Sequence, residues 1–267
     1  MGKRIVVSGA NGRVGREIVK AVLANPQLNL VGAVGHEHGI GQDIGLLAGG
    51  QQPLGIELSA DLEGTIKRTE AEIVVDFTRP AVVKENLEAI ARAGAHAVIG
   101  TTGITESDIP EISSLYRHHG VNAIISPTFA IGAVLLLKFA QQAAHFFPHV
   151  EIIETHHDQK LDAPSGTAIK YAEVISKAAE KCYAAPTKVE KIPHVRGGDL
   201  ANIKIHSLRL PGFVAHHSIV FGGLGQSLTL KHDSISRESF VPGVLLAIEK
   251  VQQIDGLIYG LEHLLDM

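Results

Sequence analysis

The stretch "EIIETHHDQKLDAPSGTA", residues 151–168, gathers His156, His157, Lys160 and the turn residues Pro164, Ser165, Gly166 and Thr167 just after an apolar run. An imidazole takes up and releases a proton near neutral pH, and an ammonium group offers positive charge and a proton to negative charge that develops beside it. Ser165 or Thr167 stands where a helix N-cap belongs, ahead of the periodic apolar residues Ile169, Ala172, Ile175 and Ala179. The N–H groups opening such a helix form a receptor for a carboxylate. Together these residues suit a small dianion beside proton donors. Taken alone, they also suit a charged surface loop ending in a capped helix.

A second chemistry-bearing pattern opens the chain. Gly9, Gly12 and Gly15 form G-x-x-G-x-x-G after the strand-like "RIVVSGA", with Ala10, Asn11, Arg13 and Val14 between them. Glycines there permit a tight turn and the close approach of a pyrophosphate, whose charge rests on a helix N-terminus. Arg13 is placed to meet a phosphate. At the end of the second strand stand Gly35, His36, Glu37 and His38. Glu37 suits a ribose 2′-hydroxyl, whereas His36 and His38 tolerate a 2′-phosphate, so NADH and NADPH remain level as the expected cofactor. Phe77 and Thr78 in "DFT" and Gly100, Thr101 and Thr102 in "GTTG" end the next two strands, an edge where small and hydroxyl residues suit a nicotinamide and its ribose. Ser126, Pro127, Thr128 and Phe129 end the following strand and complete the expected cofactor-binding set.

The elements that must position these residues follow two grammars. Up to Phe129, continuously apolar runs such as "EIVVDFT" and "AHAVIGTTG" alternate with helical patterns, the signature of a parallel sheet covered on both faces. Beyond it come a helix, "VEIIET", a second helix, and the alternating segments "NIKIHSLRL", "FVAHHSIVFGG" and "QSLTLKHDS", joined by glycine-containing turns. The expected class is α/β: a doubly wound, Rossmann-type parallel sheet, discontinuous in sequence, with a second α+β domain of mixed, mostly antiparallel sheet. The final segment, "FVPGVLLAIEKVQQIDGLIYGLEHLL", reads as helical and returns to the first domain. The boundaries expected are residues 1–127 plus 235–267 for dinucleotide binding, and 128–234 for substrate binding and oligomerisation.

Composition narrows the partners. A chain of 267 residues with 45% hydrophobic content builds a real core, and its net charge of −4 offers no basic stripe for nucleic acid or an anionic membrane. No apolar run reaches the roughly 20 residues of a membrane span. The start "MGKRIVVSGANG" breaks at Asn11 and Gly12 and reads as a strand rather than a leader. The single cysteine, Cys182, forms no internal disulfide, so a reducing cytoplasm is the expected setting. The 15 histidines are scattered, and no metal site is expected.

The order of residues 151–168 strongly resembles the signature E-[IL]-[IV]-E-x-H-H-x-x-K-x-D-A-P-S-G-T-A of the 4-hydroxy-tetrahydrodipicolinate reductase (dihydrodipicolinate reductase) family. "GANGRVG", "DFTRP", "GTTG", "HSLRLPG" and "SRESFVPG" also resemble family segments in family order. The resemblance implies hydride transfer from NAD(P)H to an unsaturated cyclic imine dicarboxylate, in lysine and diaminopimelate biosynthesis. It makes His156 and Lys160 the acid–base residues, and His157, Lys160, Ser165, Gly166 and Thr167 the substrate contacts. It further implies a homotetramer assembled through the second domain's sheet. Two positions depart from the family pattern. Thr128-Phe129-Ala130-Ile131-Gly132 replaces N-F-[ST]-x-G, and histidine stands at 36 where an acid is expected. Other two-domain amino-acid dehydrogenases offer no reason for "HHDQKLDAPSGT", and a non-catalytic NAD(P)H sensor offers none for keeping both His156 and Lys160.

Overall fold

The computed structural model describes residues 2–265; residues 1, 266 and 267, at the ends of the expected first domain, lie outside the described residues. The chain divides into two compact units, Met1–Phe129 with Phe240–Met267, and Ala130–Ser239. The first runs β1 (Lys3–Ser8), α1 (Gly15–Ala24), β2 (Leu28–Val34), α2 (Ile44–Leu47), β3 (Leu58–Ser59), α3 (Leu62–Thr69), β4 (Ile73–Asp76), α4 (Val83–Arg92), β5 (His96–Ile99), α5 (Ile109–His119) and β6 (Ala123–Ile125). The second holds α6 (Ile131–Ala143), β7 (His149–His156), α7 (Gly166–Ala178), β8 (Gly198–Leu200), β9 (Ile203–Arg209), β10 (Ala215–Gly223) and β11 (Gln226–Ser234). The chain then returns to the first unit with α8 (Val241–Lys250) and β12 (Leu257–Tyr259).

The first unit's seven strands lie in the order β12-β6-β5-β4-β1-β2-β3, and every neighbouring pair is parallel. Helix cover on both faces explains why β4 reads "IVVD" with all four residues buried. In α4 the buried residues Val83, Leu87, Ile90 and Ala91 recur at helical spacing and form one apolar stripe. Asp61 caps α3 by accepting a 2.9 Å hydrogen bond from the Gly64 N–H. At the first turn Gly9 has φ 77°, and a Cβ on Gly15 would come within 2.0 Å of the Gly9 carbonyl oxygen. These glycines are therefore required by the turn itself.

The C-terminal segment departs from the helix expected throughout it. α8 ends at Lys250, and Leu257–Tyr259 becomes a strand along the outer edge of β6. Two local features account for this. Gly256 takes φ 76°, outside the helical region, and Asn122 at the mouth of β6 donates to the carbonyls of Val251 (3.0 Å) and Ile254 (2.8 Å) while its Oδ1 accepts from Gly256. That amide draws the chain out of the helix and alongside β6.

The second unit's sheet has the order β11-β10-β7-β9-β8. Only the β7–β9 pair is parallel; the other three are antiparallel, so the mixed, mostly antiparallel sheet is present. Although "NIKIHSLRL" and "FVAHHSIVFGG" are consecutive, β9 and β10 flank β7 rather than pairing with each other, and the Pro211-Gly212 turn closes no hairpin. The core on one face is built from Leu136, Leu137 and Ala140 of α6, Tyr171, Ala172 and Ile175 of α7, and Ile152, Ile205, Ile219 and Phe221 of the sheet. The Tyr171 hydroxyl donates to the Ala133 carbonyl at 2.9 Å, which joins the two helices.

Candidate active site

In the first unit the strand order reverses between β4 and β1, the switch point at which open parallel sheets bind ligands. A cavity of about 570 Å³ opens there. Of the residues expected from sequence, Gly9, Asn11, Gly12, His36, Glu37, Phe77 and Thr78 line it. The N-cap position of α1, Val14, supplies no side-chain cap, so the helix start beside the glycine turn is left for a ligand of opposite charge. The cavity and this helix start fit a dinucleotide. Ala10, Arg13 and Val14 do not line the cavity; Ala10 is fully buried, and its N–H donates to the Val34 carbonyl at 3.0 Å.

Gly100, Thr101, Thr102, Ser126, Pro127, Thr128 and Phe129 stand instead beyond the carboxyl ends of β5 and β6. Thr101 is buried and donates to Asp76 Oδ1 at 2.5 Å, while it accepts from the Thr78 N–H at 2.7 Å. Ser126 Oγ donates to the Thr128 carbonyl at 2.6 Å. Phe129 is fully buried with its ring 5.7 Å from that of Phe77, so its side chain belongs to the core. Three further residues escaped the sequence reading. Buried Asp76 holds Thr78, Thr101 and, at 2.7 Å, Asn86 Nδ2. Arg79 lines the cavity with its Nη1 3.8 Å from Glu37 Oε1, which places a guanidinium beside the acid at the end of β2.

In the second unit, the inward face of β7 carries Val150, Ile152, Glu154 and His156 in alternation. His156 is nearly buried at the strand end, and His157 begins the loop that follows. Lys160 donates to Asp162 Oδ1 at 2.7 Å. Ser165 proves to be the N-cap of α7, its Oγ accepting from the Ala168 N–H at 3.2 Å; Gly166 and Thr167 form the first turn. Glu154 ties His156 to the capped helix start, while Lys160 on the same loop is held by Asp162.

Beneath them lies a buried set that the sequence reading missed. Glu154 Oε1 accepts from Arg209 Nη2 at 2.8 Å and from the Ser165 N–H at 3.2 Å; Oε2 accepts from Arg209 Nη1 at 3.0 Å and is bonded to His156 Nδ1. Burial would raise the Glu154 carboxyl, but hydrogen bonds from His156, Arg209 and Ser207 outweigh it and hold the group well below the usual carboxylate range. His217 on β10 puts Nε2 3.3 Å from Ser165 Oγ, and its ring packs edge-on against those of His156 and Tyr171. Burial, with His156 as the next cause, pushes the His217 imidazole down to about 3. A charged residue at an inward strand position was the available signal for Glu154; Arg209 and His217 carry none, because only the sheet brings them near.

Family models for "Dihydrodipicolinate reductase, N-terminus" and "Dihydrodipicolinate reductase, C-terminus" match residues 3–129 and 132–265. The chain belongs to the dihydrodipicolinate reductase family. This reductase is 51% identical over 265 residues to the 4-hydroxy-tetrahydrodipicolinate reductase of Desulfitobacterium hafniense, covering 98% of each chain. It is 45% identical over 263 residues to that of Moorella thermoacetica, again over 98% of each. Among solved structures, the dipicolinate-bound dihydrodipicolinate reductase of Paenisporosarcina sp. TG-14 superposes with a TM-score of 0.85 at 40% identity, over 99% of this chain and 100% of that one. An amine dehydrogenase of Mycobacterium smegmatis, at 15% identity and a TM-score of 0.69, shares the reductase's fold. The activity of this family is the reductase step of lysine and diaminopimelate biosynthesis. Among the described residues, no helix is long and apolar enough to cross a membrane, and no cluster of three or more potential ligands could hold a metal.

Proposed function

We propose that the reductase passes a hydride from bound NADPH or NADH to the ring of 4-hydroxy-tetrahydrodipicolinate, giving tetrahydrodipicolinate and water, with one proton supplied by the protein. The observation that carries this reading is the assembly of His156, Lys160 and the Ser165-capped start of α7 on one loop. His156 presents Nε2, the nitrogen not engaged by Glu154, as the proton donor toward negative charge developing in the ring. Lys160 exchanges Asp162 for a substrate carboxylate and assists proton delivery. His157, Gly166 and Thr167, with Ser165, receive the second carboxylate at the helix start.

In the first unit, Gly9, Asn11 and Gly12 at the uncapped start of α1 hold a pyrophosphate, with Ala10, Arg13 and Val14 completing the turn. Glu37 and Arg79 serve the two cofactors differently: the carboxylate accepts from a 2′-hydroxyl, and the guanidinium answers a 2′-phosphate. His36 shares that rim. Phe77, Thr78, Gly100, Thr101, Thr102 and the segment from Ser126 to Phe129 form the edge assigned to the nicotinamide and its ribose. A homotetramer formed in a reducing cytoplasm accords with the resemblance and with the open face of the second sheet, where Ile153 and Leu208 are exposed beside Lys204 and His206. Sedimentation of the purified chain tests the assembly.

The activity is tested by following oxidation of NADPH and of NADH with freshly made substrate. Oxidation that depends on substrate and is competed by pyridine-2,6-dicarboxylate is expected; failure of both nucleotides would overturn the reading.

A further inference from the structure

We infer that Glu154, locked by Arg209, is the positioning residue that fixes His156 with its proton on Nδ1, so that Nε2 is the nitrogen that loads and releases the transferred proton. This rests on the assignment of His156 as the proton donor and names what makes that donor competent.

The hydrogen-bond partners of Glu154 fix the direction of its bond to His156, and the Ser207 hydroxyl, a further donor to the carboxylate, does not alter it. Glu154 is fully buried, and an ionised carboxylate only accepts. Both Arg209 amino groups and the Ser165 N–H are donors by necessity, and they occupy Oε1 and one side of Oε2. Oε2 also faces His156 Nδ1, and because the carboxylate only accepts, that nitrogen must be protonated in both the neutral and the cationic ring. Arg209 is itself committed: Nη1 also donates to the Leu208 carbonyl at 2.7 Å, and Nη2 to the Asp162 carbonyl at 2.8 Å. The guanidinium thus keeps the carboxylate charged and ties it to the loop that carries Lys160. One buried anion orients the imidazole and anchors the N–H of the α7 cap in the same act.

Glu154→Gln tests this at constant volume. If the Gln carbonyl faces Ser165 and Arg209 Nη2, its NH₂ faces His156 Nδ1, and the ring must move its proton to Nε2. The reverse orientation sets the NH₂ against two obligatory donors instead of one. The ring then cannot cycle its proton through Nε2. The expected result is a kcat at least about 100-fold lower, the range of a positioned acid, with the affinity for pyridine-2,6-dicarboxylate changed less than about threefold. The reverse split, with weakened dicarboxylate binding and a near-normal kcat, would make Glu154 a structural clamp and overturn the inference.

A measurement on the unaltered protein stands whether or not the variant folds. Nitrogen-15 spectra of histidine-labelled enzyme, with the His156 signals identified by their loss in His156→Ala, should show neutral His156 protonated at Nδ1. A proton found on Nε2 would overturn the inference while leaving the reductase reading, tested by turnover, untouched.

Discussion

His217 Nε2 lies 3.3 Å from Ser165 Oγ, and the opposite ring nitrogen, Nδ1, is buried with no hydrogen-bond partner among the described residues. A ring held this way resists protonation, which gives stability a definite dependence on pH. The ordinary value of 6.5 applies to the unfolded chain, whereas in the folded protein the group lies near 3. Between these values only the unfolded state binds the proton, so stability falls as pH falls through this window, by up to about 1.4 kcal/mol per pH unit for this one group. His96 and His232, also lowered by burial, act in the same direction. Denaturation at pH 6.5 and pH 5 should therefore show a shallower loss in His217→Asn than in the unaltered chain. Equal losses would contradict a neutral, buried His217.

Ser165 has a different fate when cut back. Ser165→Ala removes the cap on the Ala168 N–H, which typically costs about 1 kcal/mol, and opens the edge assigned to a substrate carboxylate. KM should rise while kcat stays within about threefold of normal, as for loss of uniform binding. A collapse of kcat at unchanged KM would place Ser165 at the reacting atoms instead.

Lys160 and His156 should divide the work. Lys160→Ala is expected to raise KM and lower kcat together, because it removes a carboxylate partner and a proton source. His156→Ala should act mainly on kcat, by about 10²- to 10⁴-fold. Steady-state kinetics on the two variants, with nucleotide affinity measured separately, decide this. Near-normal kcat in both would return the loop to a solvent-facing role.

For the nucleotides, the pairing of Glu37 with Arg79 predicts that NADH and NADPH bind within about tenfold of one another, or about 1.4 kcal/mol. Arg79→Ala should weaken NADPH selectively, and Glu37→Ala should weaken NADH. Titration of each variant with each reduced cofactor checks the assignment; equal losses for both cofactors would remove the 2′ position from these residues.

At the glycine turn, Gly15→Ala should cost about 1–3 kcal/mol, because its Cβ would meet the Gly9 carbonyl oxygen at 2.0 Å. Nucleotide affinity should fall with it. An unchanged melting temperature would show that the turn relaxes without penalty.

The sequence made some of this visible and hid the rest for physical reasons. Gly9, Gly12 and Gly15, the apolar run of β4 and the Ser165 cap are local features, and each was readable from its neighbours. Glu154 stood within the quoted stretch, but its meaning depends on Arg209, which reaches it only through the parallel pairing of β7 with β9. Arg79 likewise follows a recognisable "DFT" yet acquires its role by approaching Glu37 from another strand. β12 was misread because three apolar residues after a glycine look alike in a helix and in an edge strand; the Asn122 amide that decides between them lies on the far side of the second unit in sequence.

That placement of β12 sets an order on biosynthesis. β6 ends at Ile125, and the strand that covers its outer edge begins at Leu257, so the whole of the second unit leaves the ribosome in between. At about 5–20 residues per second, the row of peptide groups along β6 stays unpaired for on the order of ten seconds in every newly made chain. An open parallel edge of this kind is a template for mispairing with other chains. The reductase therefore closes its nucleotide-binding sheet only after the whole of the second unit has been made, and during that interval the outer edge of β6 is the part of the chain most open to mispairing.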